Sequence, residues 1–140
     1  MAQRANPNIS LEHLRALADF RFTLRTFLHF SESAAVRVGL TAQQHQLLLQ
    51  IAGAPEGALT SVGYLAERLV LRHHSVVELC NRCEESKLIV RTRDPENGRQ
   101  VVLHLTESGK ELLRALSIDH SFELNQLGPQ LIQALKILQR

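Results

Sequence analysis

Four consecutive patterns fill residues 59–105: a short helical one, a longer helical one, and two that are typical of β-strands. In the first, apolar residues recur at intervals of three and four residues after Thr60 and Ser61, either of which is a suitable N-cap. A brief turn at 70–71 separates it from the second, which runs from about 72 to 86 and is apolar on one face and polar on the other. These two patterns predict a helix-turn-helix.

The two strand patterns predict a β-hairpin directly after the helix-turn-helix. Residues 88–93 and 100–105 are rich in alternating and β-branched side chains, and the sequence between them, Asp-Pro-Glu-Asn-Gly-Arg, is dense in turn formers. Asn97 and Gly98 both tolerate positive φ, so we expect them to make the turn at a basic tip. A helix-turn-helix followed by such a hairpin is the order of a winged helix-turn-helix.

The flanking segments predict long helices that one small lobe cannot fully cover. Residues 10–38 carry two apolar stripes at helical spacing, and Thr41 with Gln44 has the spacing of a capping box that opens the next helix. Residues 107–140 carry further helical patterns, and Gly128-Pro129 is expected to open a separate last helix. Because a second apolar stripe needs a second partner, we expect a homodimer.

The expected fold class is mainly α with a small β-hairpin wing. A length of 140 residues suits a single domain, with a winged helix-turn-helix lobe at 41–105 between dimerisation helices at 10–38 and 107–140. Hydrophobic residues make up 44% and charged residues 21% of the chain, which argues against wholesale disorder. No apolar stretch reaches the roughly 20 residues of a membrane span, and the polar start Met1–Asn8 lacks the core of a secretory signal. We therefore expect a cytoplasmic protein without membrane contact.

The second helix of the helix-turn-helix begins with the polar turn that a DNA-reading helix needs. The major groove of B-DNA is about 12 Å wide and admits one α-helix, and the free N–H groups of a helix N-terminus attract phosphate. Arginines on the hairpin can reach the neighbouring DNA backbone or a narrow minor groove, and the net charge of +2 permits this partner without requiring it. The candidate residues for binding double-stranded DNA are Ser61, Arg72, His73, His74, Ser75, Glu78, Asn81, Arg82, Arg91, Arg93 and Arg99.

Several stretches follow the pattern of a known family. They are 65–69 (Leu-Ala-Glu-Arg-Leu), 71–77 (Leu-Arg-His-His-Ser-Val-Val), 88–91 (Leu-Ile-Val-Arg), 94–96 (Asp-Pro-Glu) and 105–109 (Leu-Thr-Glu-Ser-Gly). With the upstream segment Gly-Leu-Thr-Ala-Gln-Gln, they resemble the MarR family of transcription regulators. The resemblance implies a homodimer knitted by the first and last helices. Such a dimer binds a palindromic operator, often as a repressor, and is often released by a small ligand or an oxidant.

Two positions depart from that family pattern. The family usually has an acidic residue followed by two arginines at the wing tip, whereas Asn97-Gly98-Arg99 stands here, so the acid that pairs with the arginine is missing. Glu78 lies where the family more often has a small or basic residue, and a carboxylate beside phosphates is unfavourable unless it accepts from a cytosine amine. We therefore expect a modest affinity for generic DNA.

Two cysteines offer an alternative chemistry. Cys80 and Cys83 form a C-x-x-C, and His73 precedes Cys80 on the same helical face, a spacing that in another setting indicates a metal or redox site. Both cysteines fall on the apolar face, however, and Cβ atoms three residues apart on a helix lie about 5–6 Å from each other, too far for a disulfide. Core packing is the favoured interpretation, with no metal and no cofactor.

The predicted function is that of a DNA-binding regulator whose small-molecule effector changes the spacing of the two recognition helices in the dimer. His29 and His45 are candidate effector ligands, with ordinary surface or semi-buried histidines as the alternative. A second alternative is a protein–protein interaction module, which the modest charge and Glu78 keep open. An enzyme is not expected, because the sequence has no glycine-rich phosphate loop and no nucleophile elbow.

Overall fold

The structure, a computed structural model, describes residues 8–140. Its elements are α1 (Leu11–Arg37), α2 (Ala42–Ala52), α3 (Val62–Leu69), α4 (His73–Glu85), β1 (Ile89–Arg93), β2 (Val101–Leu105) and α5 (Glu107–Leu138). The prediction of a mainly helical chain with one antiparallel hairpin is confirmed. The polar start Met1–Asn8 lies outside the described residues except for Asn8. None of the described helices is long and apolar enough to cross a bilayer.

The described residues form two compact units. The larger unit is Glu32–Asp119, and the smaller unit combines the residues up to 31 with His120–Arg140. Helices α1 and α5 each contribute residues to both units. The larger unit contains the hairpin and all of α2, α3 and α4, so it holds every candidate DNA-binding residue.

The helix starts follow the side chains that can cap them. Thr41 Oγ1 accepts from the Gln44 N–H at 3.1 Å, and the Gln44 side chain accepts from the Thr41 N–H at 2.9 Å, so the predicted capping box is present. Of the two candidate caps for α3, Ser61 takes the role by accepting from the Tyr64 N–H at 3.2 Å. Thr60 instead connects this start to the wing: its hydroxyl donates to the Leu103 carbonyl at 2.6 Å, and its own carbonyl accepts from the Leu103 N–H at 2.9 Å.

The core of the larger unit contains both cysteines. Cys80 and Cys83 are fully buried on the apolar face of α4, among residues such as Leu47, Leu65 and Val76. Burial raises the pKa of the Cys83 thiol to about 11, and it also raises the pKa of Cys80, against the opposing effect of the nearby Arg91. Both thiols are free. The prediction that the cysteines pack as small apolar side chains is confirmed, and no group of three or more potential metal ligands occurs within residues 8–140.

The wing tip is held differently from the expectation. The expected turn is present and begins at Asn97, but neither Asn97 nor Gly98 has positive φ. The side chain of Asn97 accepts from the Arg99 N–H at 3.2 Å, its carbonyl accepts from the Gln100 N–H at 2.9 Å, and Arg93 donates to the Gly98 carbonyl at 2.8 Å. Positive φ is typical of two-residue hairpin loops, and the loop between β1 and β2 is longer than that, so side chains fix its path.

The last helix is continuous, so the prediction of a break at Gly128-Pro129 is wrong. Helix α5 runs from Glu107 to Leu138 with Pro129 inside it. An interior proline removes one backbone hydrogen bond and costs about 3 kcal/mol, but it can bend a helix without ending it. Contacts beyond the proline support the continuing helix, since the Thr23 hydroxyl reaches the Gln130 side-chain oxygen at 3.5 Å and Ala134 is buried.

The smaller unit buries small side chains and leaves large ones exposed. Its buried residues are Ala16, Thr23, Ser31 and Ala134. His120 accompanies them: its ring lies 2.7 Å from the Ser31 hydroxyl and meets two phenylalanine rings edge-on. The predicted apolar stripe of α1 is therefore mostly outside this core. Exposed large apolar side chains, called below the apolar surface of the smaller unit, are Leu11, Leu14, Leu17, Phe22, Leu28, Phe122, Leu124, Ile132 and Leu135.

Candidate nucleic-acid interface

The turn between α3 and α4 sets the direction of α4. Val70 takes a left-handed conformation (φ 54°, ψ 45°) with its side chain 88% exposed, and its N–H donates to the Glu67 carbonyl at 3.2 Å. The Leu71 N–H then donates to the Ala66 carbonyl at 3.0 Å, which closes the turn. A β-branched residue rarely adopts this conformation, so the surrounding packing of α3 and α4 must hold it there.

The first turn of α4 presents its polar side chains outward. Arg72 is the N-cap, with an extended backbone and no side-chain hydrogen bond to the helix, and Arg72, His73 and His74 are exposed. Ser75 is half-buried. Helix α4 places its apolar face in the core and its first turn at the surface, the arrangement that a recognition helix requires. Its N-terminal N–H groups add a partial positive charge there.

A cleft joins this turn to the wing. It has a volume of about 400 Å³ and is lined by Ser61, Val62, Gly63, His73, Arg99, Gln100 and Val101. Three residues proposed from sequence, Ser61, His73 and Arg99, therefore border one cleft, although they come from the start of α3, the start of α4 and the wing tip. Arg99 is exposed there, so its guanidinium is accessible to a phosphate.

The other two wing arginines have partners within the chain. The guanidinium of Arg91 donates to Asn81 Oδ1 and lies 3.3 Å from Glu84 Oε2, while Arg93 donates to the Gly98 carbonyl. Asn81 is thus engaged by a wing residue. Glu84 was not among the residues proposed from sequence. It could have been identified from its spacing of three residues from Asn81, which places both side chains on one face of α4.

The remaining candidates lie at separate places. Glu78 and Arg82 are exposed on α4, outside its buried face. His29 is exposed on α1, whereas His45 is buried within the larger unit at 2% exposure. A cavity of about 670 Å³ in the smaller unit was not predicted; its lining is mixed, with apolar residues such as Phe22 and Ile137 beside Arg15 and Asp19.

Comparison with protein families matches residues 38–100 to the model of the MarR family. The resemblance to the MarR family is confirmed. The matched segment contains α2, α3, α4, β1 and the wing loop, which are the elements that build the exposed turn and the cleft. Two of the solved structures that share the fold are MarR family transcription regulators. None of the curated proteins searched matches the chain.

Three solved structures share the fold of the chain. A MarR family transcription regulator is 22% identical, with a TM-score of 0.71, and the match covers 83% of this chain and 75% of that one. A mutant of MepR from S. aureus bound to an oligodeoxyribonucleotide is 24% identical, with a TM-score of 0.65 and coverages of 78% and 79%. CouR from Rhodococcus jostii RHA1 bound to p-coumaroyl-CoA is 25% identical, with a TM-score of 0.63 and coverages of 72% and 69%.

Proposed function

We propose that the chain is a sequence-specific DNA-binding transcription regulator of the cytoplasm, most simply a repressor, that binds a palindromic operator as a homodimer. The observation that carries the proposal is the first turn of α4, where Arg72, His73 and His74 are exposed beside a cleft that also presents Arg99. MepR, which has the same fold, binds an oligodeoxyribonucleotide. In this chain, α4 supplies a helix for the major groove, and the hairpin supplies a cationic wing for the DNA backbone.

The two kinds of DNA contact are assigned to different residues. His74 and Ser75 belong to the first turn of α4 and are proposed to face base edges, whose hydrogen-bond pattern in the major groove distinguishes all four base pairs. Arg99 is proposed to hold phosphate, which gives affinity without sequence preference. Arg72 and His73 begin the same turn, and the exposed Arg82, further along α4, is proposed to contact the DNA backbone.

The homodimer is supported by the apolar surface of the smaller unit. Phe22 on α1 and Phe122 on α5 are 70% and 66% exposed. The other large side chains of that surface lie on the same two helices. Large apolar side chains exposed in this number on two helices are uncommon on a monomer and support an interface. Since a two-fold dimer carries two recognition helices related by symmetry, it calls for two half-sites about 34–36 Å apart, or one helical turn of DNA.

Control by a small molecule is the third part of the proposal. CouR binds p-coumaroyl-CoA, and this chain has a cavity in the smaller unit of the size that such sites have. A ligand that binds more tightly when the recognition helices have a spacing that does not fit DNA shifts the protein to that spacing. The extent of DNA release is set by the difference between the ligand's affinities for the two spacings. Adding p-coumaroyl-CoA and simple aromatic acids to the protein–operator complex is the first test, with release of DNA as the expected result for an effector.

The DNA proposal is tested by selection from a random double-stranded library, followed by binding measurements over a salt series. We expect enrichment of a two-fold symmetric sequence that binds at least about 10³ times more tightly than random DNA. No enrichment, together with complete loss of binding at moderate salt, would contradict the proposal. That outcome would favour the protein–protein module, which the exposed carboxylate of Glu78 on the outward face of α4 also suits.

A further inference from the structure

One arginine connects the wing to the recognition helix at two points. Arg91, the third residue of β1, donates from Nη2 to Asn81 Oδ1, and its Nε lies 3.3 Å from Glu84 Oε2. Asn81 and Glu84 are three residues apart on α4, so the flat guanidinium contacts two successive positions on the same helix face. We call this set of three residues the Arg91 fork.

Beyond the buried Ile89, the fork adds a second contact between β1 and α4. In β1 only Ile89 is buried, and the four residues that follow are exposed. On the other strand, Leu103 is bonded to Thr60, ahead of α3. The hairpin is thus held to the start of α3 through β2 and to the outer face of α4 through Arg91. A single exposed ion pair contributes little to stability, so the value of the fork lies in geometry rather than in folding energy.

The fork also orients the amide of Asn81. A guanidinium only donates hydrogen bonds, so the amide must turn its oxygen toward Arg91 and its NH₂ group away. An amide with its oxygen engaged presents a donor, which suits an acceptor such as guanine O6, guanine N7 or a phosphate oxygen. A two-bond contact with adenine needs both the oxygen and the NH₂ group. Arg91 therefore limits what Asn81 can recognise.

We propose that Arg91 is a positioning residue that fixes the wing and the Asn81 amide on the recognition helix and does not itself hold phosphate. The proposal rests on the proposed DNA-binding function. The charge of Arg91 is already matched by Glu84, whereas Arg99 lines the cleft beside the first turn of α4. Lysine keeps the charge of an arginine but cannot make the two-pronged contact, so it separates positioning from phosphate binding.

The experiment compares Arg91→Lys and Arg91→Ala with Arg99→Ala, using the DNA selected by the wild-type protein and random DNA over a salt series. We expect both Arg91 variants to bind the selected DNA about tenfold more weakly and random DNA nearly as before, with an unchanged salt slope. The Arg99 control should weaken both DNAs and lower the slope by about one. If Arg91→Lys binds like the wild type while Arg91→Ala lowers the slope by about one, Arg91 holds phosphate and the proposal is wrong.

A measurement without DNA keeps the two proposals distinguishable. Amide hydrogen exchange at Thr92 and Val102 should become several-fold faster in Arg91→Lys than in the wild type, at a nearly unchanged thermal midpoint. Unchanged exchange at both amides would overturn the positioning role even if the protein binds DNA. Faster exchange in Arg91→Lys than in the wild type, combined with a wild-type protein that binds no DNA, would leave the fork in place and reject only the DNA-binding function.

Discussion

The two units of this chain are built from opposite choices of side chain. The larger unit buries Leu47, Leu48 and Leu65 completely and has a core that runs through all of its elements. The smaller unit buries Ala16 and Ala134 and exposes its leucines and phenylalanines. Small buried residues let two helices approach closely, but they remove little apolar surface from water. The larger unit therefore buries large apolar side chains within itself, whereas the smaller unit leaves most of its large apolar side chains exposed.

The largest expected effect is on the core of the larger unit. Leu65→Ala removes a fully buried side chain and should lower the free energy of unfolding by about 2–5 kcal/mol. Its matched control, Leu49→Ala on α2, truncates a side chain that is already exposed and should cost less than about 1 kcal/mol. Urea unfolding measures both. Equal costs at the two positions would mean that this core is not the one that stabilises the unit.

The complementary change tests the smaller unit. Phe122→Asp places a charge on its apolar surface and should weaken self-association by about 2–4 kcal/mol, or at least about thirtyfold in the dimer dissociation constant. Sedimentation equilibrium measures the dissociation constant, with Glu123→Asp as a control that keeps the charge. Wild-type protein that sediments as a monomer at micromolar concentration would remove the basis for a dimer and for the comparison between the units.

Two glycines of α5 sharpen the comparison, one in each unit. A Cβ at Gly109 would lie 2.2 Å from the Leu88 carbonyl oxygen, so Gly109→Ala should cost about 1–3 kcal/mol. Apart from its chain neighbours, a Cβ at Gly128 meets nothing within 4 Å. Alanine is the better helix former, but a Cβ before Pro129 is disfavoured in a helix, so Gly128→Ala should change stability by less than about 1 kcal/mol. Thermal unfolding of the two variants gives the comparison. A large loss at Gly128 would indicate that a second copy approaches closely there.

The buried thiols predict a smaller effect that depends on pH. Burial raises the pKa of Cys83 to about 11, so the folded state keeps the thiol protonated while the unfolded state ionises near its ordinary value. The contribution of the buried, protonated thiol to the free energy of unfolding is fully present below that ordinary pKa. It should fall as the pH rises toward 11, by up to about 1.4 kcal/mol per pH unit. Cys83→Ala should reduce this pH dependence, and the part that remains is the contribution of Cys80, whose pKa is also raised. The folded protein should also react slowly with thiol reagents, and mild peroxide should not release DNA; reductant-reversible release would instead make the cysteines sensors.

Local chemistry explains why much of the fold could be predicted. Ser61 and the Thr41–Gln44 pair act within one turn of their own helices, and the apolar spacing in α4 identifies the face that carries the cysteines. The prediction of a separate helix opening at Gly128-Pro129 was wrong because it considered only the local effect of proline. Contacts of the turns that follow decide whether the helix continues. The apolar stripes of α1 could be identified from their spacing, but periodicity does not say what covers them.

The candidate site was only partly predictable for the same reason. The exposed turn of α4 follows from the helical pattern, but the partner of each arginine depends on which elements meet in space. Arg91 and Arg99 are equally basic in the sequence, yet one is matched by Glu84 and the other borders an open cleft. Sequence spacing alone could not separate these two roles.

The central claim is that the first turn of α4 reads bases while the wing tip holds phosphate. The most direct measurement is the affinity of His74→Ala, Ser75→Ala and Arg99→Ala for the selected operator and for random DNA over a salt series. We expect His74→Ala and Ser75→Ala each to cost about 1–3 kcal/mol on the operator and much less on random DNA. Arg99→Ala should weaken both DNAs alike and reduce the salt slope by about one. Unchanged binding by all three variants would contradict the DNA-binding function.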